Sequence, residues 1–288
     1  LPDVKALASV EEETLLKLWE GLGYYNRARN LQKAARVCMD EYGGQLPASY
    51  ESLLSLPGIG SYTAGAVASI AFGIPEPAVD GNVLRVLSRL FESREDIGKQ
   101  SVKRKMENEL RAVIPKELPG DFNQALIELG AIVCIPSGKP LCSQCPCSTL
   151  CLARRRQTTG EIPVKAGKKE RRREEKTVFI IEYEDKAAIR KRSAKGLLAS
   201  LYEFPNLEGK LSEKEVLERL GGGASVEEKL PEAKHIFSHV EWQMKGYQIQ
   251  VDELEKTNEK GFLFIHPGEI REKYSIPSAF AAYTKDII

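Results

Sequence analysis

The sequence predicts two domains, an all-helical one over residues 1–153 and a mixed α and β one over residues 177–288, joined by a basic linker over residues 154–176. Three observations predict it. Apolar residues recur at helical spacing through the first half. Residues 154–176 then gather ten basic residues against four acidic ones, with Gly160, Pro163 and Gly167 interspersed. From Thr177 onward the period changes to that of strands. A length of 288 residues has room for two ordinary domains.

Taken in order, Leu15, Leu16, Leu18 and Trp19 form one helical stripe and Leu31, Ala34, Ala35 and Cys38 the next. Leu84, Leu87, Leu90 and Phe91, then Met106, Leu110 and Val113, continue the pattern. In the second domain the run TVFIIEY over 177–183 is β-branched and aromatic, as a strand requires. Residues 240–251 alternate, with Val240, Trp242 and Met244 on one face and Glu241, Gln243 and Lys245 on the other. At Gly246 the apolar phase slips to Tyr247, Ile249 and Val251, which predicts a β-bulge there.

The longest uncharged apolar run, residues 64–75, has 12 residues, short of the roughly 18 that a membrane-spanning helix needs. The N-terminus has no basic start followed by an apolar core, so no secretory signal is read and a cytoplasmic location is expected. The chain opens on Leu1, and its methionines are Met39, Met106 and Met244, so a fragment of a longer protein is expected. The net charge of +1 hides a linker surplus of six positive charges against −5 elsewhere, which leaves room for local phosphate binding.

Five of the six cysteines fall in CIPSGKPLCSQCPCSTLC, residues 134–151. In a cytoplasmic protein such a cluster points to a metal site rather than disulfides. Cys134, Cys142, Cys145 and Cys151 are separated by seven, two and five residues, with Cys147 extra inside the last loop. Zinc favours two paired CxxC knuckles, and here there is one, so four thiolates on one loop suit a cubane iron-sulfur cluster better. Zinc and unligated buried cysteines remain the alternatives. Cys38, on an apolar helix face, reads as core.

Leu56-Pro57-Gly58-Ile59-Gly60-Ser61-Tyr62-Thr63-Ala64 is a turn running directly into a helix over 61–72. Its glycines let a ligand approach the backbone, and the amides opening the helix can bind a phosphate. A plain glycine turn between helices would explain the motif as well. Asp80, in Ala78-Val79-Asp80-Gly81-Asn82-Val83, weighs against that reading. It is placed to cap the helix over 82–91. The intervening helix is about 18 Å long at ~1.5 Å per residue, so the chain can fold back and set this carboxylate beside DNA held at the hairpin. There it could stabilise an oxocarbenium-like transition state.

Together, LPGIGSYTA, VDGNV and a cysteine loop closing the helical domain resemble the helix-hairpin-helix DNA glycosylases with an iron-sulfur loop. Gly21-Leu22-Gly23-Tyr24-Tyr25, Leu126-Ile127-Glu128-Leu129-Gly130-Ala131 and Phe237-Ser238-His239 narrow the resemblance to the MutY-type adenine DNA glycosylases. That family excises adenine mispaired with 8-oxoguanine, so the resemblance implies double-stranded DNA with this mispair as partner, a [4Fe-4S] cofactor and a monomer associated with the bacterial nucleoid. It implies Asp80 as the catalytic carboxylate, Asn82 as its assistant and Tyr62 lining the site. It further implies DNA contacts at Gly58, Gly60, Ser61 and Arg27, a wedge at Tyr24 that offsets the cost of base flipping, and lesion recognition by Phe237, Ser238 and His239. Endonuclease III enzymes carry a lysine at the position of Tyr62, whose amine forms a Schiff base. Tyrosine cannot, so hydrolysis without a lyase step is expected.

The family's general acid, a glutamate near a Gln-Gln-Thr-Arg stretch, would lie upstream of Leu1, so this chain alone is expected to be nearly inactive. Seven residues separate Cys134 from Cys142 where the family usually has six. The second domain resembles a Nudix fold that has lost hydrolase activity. Gly209, Glu215, Glu227 and Glu228 keep partial register with the Nudix box, but Gly223-Ala224 replaces its Arg-Glu, and Gly221 to Gly223 would break its helix. His235 and His239 sit at i, i+4, yet the alternation after them places them on a turn rather than a metal-binding helix. Two other readings compete, an endonuclease III-like lyase and a non-enzymatic iron-sulfur DNA-binding module.

Overall fold

The computed structural model describes residues 1–167, 170–221, 223–252, 261–285 and 287. Lys168 and Lys169 of the basic run, and Gly222 of the glycine run, lie outside the described residues. Contacts divide the chain into two compact units, Leu1–Ala8 with Asn30–Lys168, and Ser9–Arg29 with Lys169–Ile288. No helix is long and apolar enough to cross a membrane among the described residues.

The first unit is helical. It contains most of α3 (Asn26–Glu41), then α4 (Tyr50–Ser55), α5 (Ser61–Phe72), α6 (Gly81–Leu90), α7 (Gln100–Arg111), α8 (Pro119–Glu128) and the short α9 (Leu152–Arg155). One core gathers Ala34, Cys38, Leu53, Leu56, Ala64 and Ala68. Another gathers Val79, Val83, Leu84, Leu87, Val102, Met106 and Leu110. Each large apolar side chain so buried contributes roughly 1.5–3 kcal/mol. Leu18, Leu31, Phe91 and Val113, expected on the core stripes, are exposed. Phe91 and Val113 fall beyond the last residue of their helix, where the 3.6-residue period no longer sets which way a side chain faces.

The sequence reading assigns residues 154–176 to a linker. In the structure the stretch through Val164 packs on the first unit, because Ile162 is buried, its carbonyl accepts from Arg89 Nε at 2.7 Å and the Val164 carbonyl accepts from Ile97 N at 3.1 Å. The far end, from Arg172, already belongs to a strand. Ser9–Arg29, which the sequence places with the helical domain, packs within the second unit instead. Leu16 and Tyr25 bury with Leu201, Glu20 Oε1 accepts from Ile276 N at 2.8 Å, and Arg29 Nη2 donates to Ala199 O.

The second unit is built on a sheet ordered β3-β2-β1-β6-β5, with β4 on β1 and β7 on β2. The strands are β1 (Arg172–Tyr183), β2 (Lys186–Lys191), β3 (Tyr202–Glu203), β4 (Asn206–Glu208), β5 (Ala224–Ile236), β6 (Val240–Val251) and β7 (Leu263–Ile265). β1 and β6 run parallel, from Arg172 opposite Val240 to Glu182 opposite Gln250. Gly246 carries no bulge, which corrects the expectation. The β1 register passes through it unbroken, and the register shifts fall in β5, between Val226 and Glu228 and between Leu230 and Ala233. The apolar phase slips because the sheet is covered on both faces. Trp242 and Met244 face a core with Phe204, Ile270, Phe280 and Tyr283. Tyr247, Ile249 and Val251 face the other core, with Val216 and Leu220 of α10 (Glu213–Leu220). At the crossing only glycine fits, since a Cβ on Gly246 would lie 2.8 Å from the Tyr283 ring.

Candidate functional site

The hairpin forms as its glycines require. Gly58 has φ +77, and a Cβ there would lie 2.5 Å from Asn30 Cβ, so glycine is needed twice over. Gly60 then precedes α5 with no side-chain cap, which leaves the opening amides of α5 without the usual side-chain partner. Ser61 Oγ donates to Glu107 Oε1 at 2.6 Å, and Lys103 Nζ lies 3.6 Å from the same carboxylate. Gly65, three residues after Tyr62 and thus on its face of α5, touches the segment leading to Asp80. A Cβ on Gly65 would lie 2.1 Å from Pro77 O. Tyr62 is half-buried on α5, and no hydrogen bond joins it to Asp80 among the described residues.

Asp80 caps α6 and is itself held there. Its Oδ1 accepts from Asn82 N and Val83 N, both at 2.8 Å, and its Oδ2 accepts from Asn82 Nδ2 at 2.9 Å. Asn82 is oriented in turn by Arg85, whose Nη2 donates to Asn82 Oδ1 at 2.9 Å. The same guanidinium donates to Gly130 O at 2.6 Å and to Cys134 O at 2.7 Å. Burial pulls this arginine below its ordinary pKa, with the Cys134 charge opposing. Gly130 makes room for the arrangement, since a Cβ there would lie 2.6 Å from Asn82 Cβ. Upstream, the buried Asn123 accepts from Ala78 N at 2.9 Å and donates to Ser69 Oγ at 2.8 Å and Glu76 O at 2.9 Å. The carboxylate therefore sits on a turn that is fixed from both sides.

Cys134, Cys142, Cys145, Cys147 and Cys151 line one cavity of about 30 Å³ with Leu129, Val133 and Arg89. Arg89 Nη1 donates to Cys134 Sγ at 3.2 Å. Burial pushes the Cys145 thiol up, a backbone hydrogen bond from Cys147 opposes this, and charge on Cys147, Cys134 and Cys151 adds to the rise. Among the described residues no three His, Cys, Asp or Glu side chains are arranged to hold a metal ion. The donor chemistry of the cavity, soft sulfur in an apolar shell beside an arginine, still fits a thiolate-held cluster.

In the second unit Tyr24 follows Gly21 (φ +83) and Gly23 (φ +64) and is itself left-handed, at φ +48. That conformation is uncommon for a bulky residue. Its side chain is 72% exposed, while Trp19 Nε1 donates to Gly23 O at 3.0 Å and the Arg27 guanidinium stacks 5.9 Å from the Trp19 ring. Tyr24, Arg27 and Arg29 line a cavity of about 630 Å³ with Leu198, Phe237, Ser238 and His239. Phe237 is half-buried, with its ring 4.5 Å from His235 and 4.9 Å from Trp242. Ser238 and His239 are exposed. Burial lowers the His235 pKa. His235 is the penultimate residue of β5 and His239 lies in the loop after it, so the i, i+4 pair is not on a helix.

Residues 1–112 match the HhH-GPD superfamily of base excision DNA repair proteins, and residues 177–286 match the NUDIX domain. The chain is 35% identical to human adenine DNA glycosylase over 306 residues, covering 87% of this chain and 56% of the human protein. The chain carries both of these domains and is similar to adenine DNA glycosylases. It is also 33% identical to the adenine DNA glycosylase of Buchnera aphidicola subsp. Acyrthosiphon pisum, over 73% of this chain and 59% of that protein. It thus spans a little over half the length of these relatives. A solved non-covalent endonuclease III–DNA complex is 34% identical over 55% of this chain and 72% of that chain, with a TM-score of 0.48.

Within the NUDIX-matching region the Nudix-box register breaks in a definite way. Glu215 sits on α10, where it forms a capping box with Ser212. The helix ends at Leu220, Gly221 turns to φ +94, and Glu227 and Glu228 fall on β5. The sequence reading missed Arg85, Asn123, Gly65 and Gly130. A buried arginine on the apolar helix of 82–91 was the available signal for the first, since such a residue needs several acceptors.

Proposed function

We propose that the protein removes adenine paired opposite 8-oxoguanine in duplex DNA, by hydrolysis and without cutting the strand. The single observation that carries the reading is the Asp80 carboxylate, presented at the start of α6 by two backbone amides and the Asn82 amide. Adenine as the base removed is supported by the name its relatives carry.

The hairpin at Gly58, Gly60 and Ser61 binds a phosphate with the opening amides of α5, which positions the duplex without reading its sequence. Tyr24 enters the stack and offsets part of the few kcal/mol that flipping the base costs, and Arg27 supplies charge beside it. Asp80 then stabilises the positive charge that develops on the deoxyribose as the glycosidic bond breaks. Asn82 holds the carboxylate's orientation, and Tyr62 lines the site without an amine that could form a Schiff base. Phe237, Ser238 and His239 recognise the lesion, with the exposed Ser238 hydroxyl able to donate and accept at its altered edge.

Cys134, Cys142, Cys145 and Cys151 would hold a [4Fe-4S] cluster, which would tie the loop after α8 into one rigid piece. The residues of the chain do the rest of that work. Arg85 links the carbonyl of Cys134 to Asn82, so the loop and the carboxylate are ordered together.

The test is release of adenine from a duplex holding adenine opposite 8-oxoguanine, with the native full-length protein. Release that Asp80→Asn slows by about 10²-fold or more supports the reading. Release at an undiminished rate in the variant refutes it.

A further inference from the structure

The loop of residues 237–239 joins β5 to β6, with Ser238 and His239 between the Phe237–Val240 pair, and it is not a self-supporting turn. Two-residue hairpins are stable when their central residues take positive φ, as Asn-Gly does. Neither Ser238 nor His239 has positive φ. Phe237 N donates to Val240 O at 2.8 Å, but among the described residues Val240 N makes no return bond to Phe237 O. That carbonyl accepts from Arg171 Nε instead, at 3.2 Å. On the other side of the loop, Arg172 N donates to His239 O at 3.1 Å. The carbonyls flanking Ser238 are therefore held by the residues at the start of β1, about 66 positions away in sequence. The Ser238 hydroxyl has no hydrogen-bond partner among the described residues, so it stays open to a ligand.

We infer that Arg171 is a positioning residue for lesion recognition, holding the Phe237 carbonyl so that Ser238 is presented in one orientation. The inference rests on the proposed role of Phe237, Ser238 and His239. It gives a task to a basic stretch whose charge would otherwise read as simple phosphate attraction. The Arg172 bond comes from the backbone and survives any side-chain change. The Arg171 bond does not, so substitution isolates it. Arg171 is exposed, and a hydrogen bond from a charged group in such a place is weaker than a buried one. The expected loss is therefore about threefold to tenfold in discrimination.

The experiment compares Arg171→Ala, Arg171→Lys, Ser238→Ala and the Arg171→Ala/Ser238→Ala double variant of the full-length protein. One readout is the ratio of adenine excision rates opposite 8-oxoguanine and opposite guanine. The other is amide hydrogen exchange of residues 238–240 without DNA. Faster exchange and a reduced ratio in Arg171→Ala, partial recovery in Arg171→Lys, and a double variant no worse than Ser238→Ala support the inference. Unchanged exchange overturns it, whatever the ratio does. Equal losses on both substrates with full recovery by lysine also overturn it, because they describe a phosphate contact. If Ser238→Ala leaves the ratio intact while exchange quickens in Arg171→Ala, the recognition role fails and the clamp on the loop stands.

Discussion

The turn carrying Asp80 and the loop carrying Ser238 are held by opposite means. Asp80 grips the amides two and three residues ahead of it, so its orientation is written into one short segment and reinforced by Arg85 and Asn123 from elsewhere in the same unit. The Ser238 loop has little of its own. It is fixed by Arg171, by the amide of Arg172 and by the stacking of Phe237 between His235 and Trp242. A reacting carboxylate gains from rigidity, because a small misplacement costs rate. A loop that distinguishes a lesion from guanine needs one good orientation and an open edge, which external braces can supply.

The substitution expected to act most strongly is Asp80→Asn. Asparagine keeps the cap on the Asn82 and Val83 amides about as well as aspartate and loses the bond from Asn82 Nδ2, so the melting temperature should fall by no more than a few degrees, while loss of the charge should reduce single-turnover excision by about 10²- to 10³-fold. A melting point that collapses with the rate would mean that the turn depends on the charge after all. Gly65→Ala attacks the same region by shape. Its Cβ would meet Pro77 O at 2.1 Å, and forced overpacking of this kind costs about 1–3 kcal/mol. Thermal melting should fall by several degrees, and an unchanged curve would show that the α5 contact with the Asp80 segment is looser than drawn.

Phe237→Ala probes the other region. Each lost ring pair is worth about 0.5–1.5 kcal/mol, so discrimination of 8-oxoguanine from guanine should erode by up to about tenfold while excision opposite guanine falls less. Equal loss on both would remove the contrast between the two regions. The smallest effect is one of pH. Burial lowers the His235 pKa from its ordinary 6.5, so the unfolded chain binds this proton more readily than the folded one. The stability that the neutral ring contributes is fully present above pH 6.5 and is lost as pH falls through the lowered folded value. The protection factors of amides around 235–240, which remove the intrinsic pH dependence of exchange, should fall over that range, and His235→Phe should remove the change.

The same contrast explains what could be read from sequence. The helix over 61–72 and the cap at Asp80 were legible because their signals are local, a glycine turn, a period of 3.6 and a carboxylate just before a helix. Asn123 and the distant acceptors of Arg85, Gly130 O among them, were not, since those partners lie about 45 residues away and no spacing rule reaches that far. Gly246 was read as a bulge because strict alternation presumes one buried face, and this sheet has two. Arg171 looked like linker charge because its acceptor, a loop carbonyl, leaves no mark in composition. Ser9–Arg29 carries helical spacing, which reveals a buried stripe but not what buries it.

We propose that the native protein is a hydrolytic adenine glycosylase whose reacting carboxylate is Asp80. The measurement that tests it most directly is a single-turnover reaction of the native full-length protein on a duplex with adenine opposite 8-oxoguanine, run with and without borohydride. Free adenine, an unbroken abasic strand and no protein–DNA adduct are predicted, with adenine release slowed by about 10²- to 10³-fold in Asp80→Asn. A borohydride-trapped adduct with strand cleavage, or adenine release undiminished in Asp80→Asn, would contradict it.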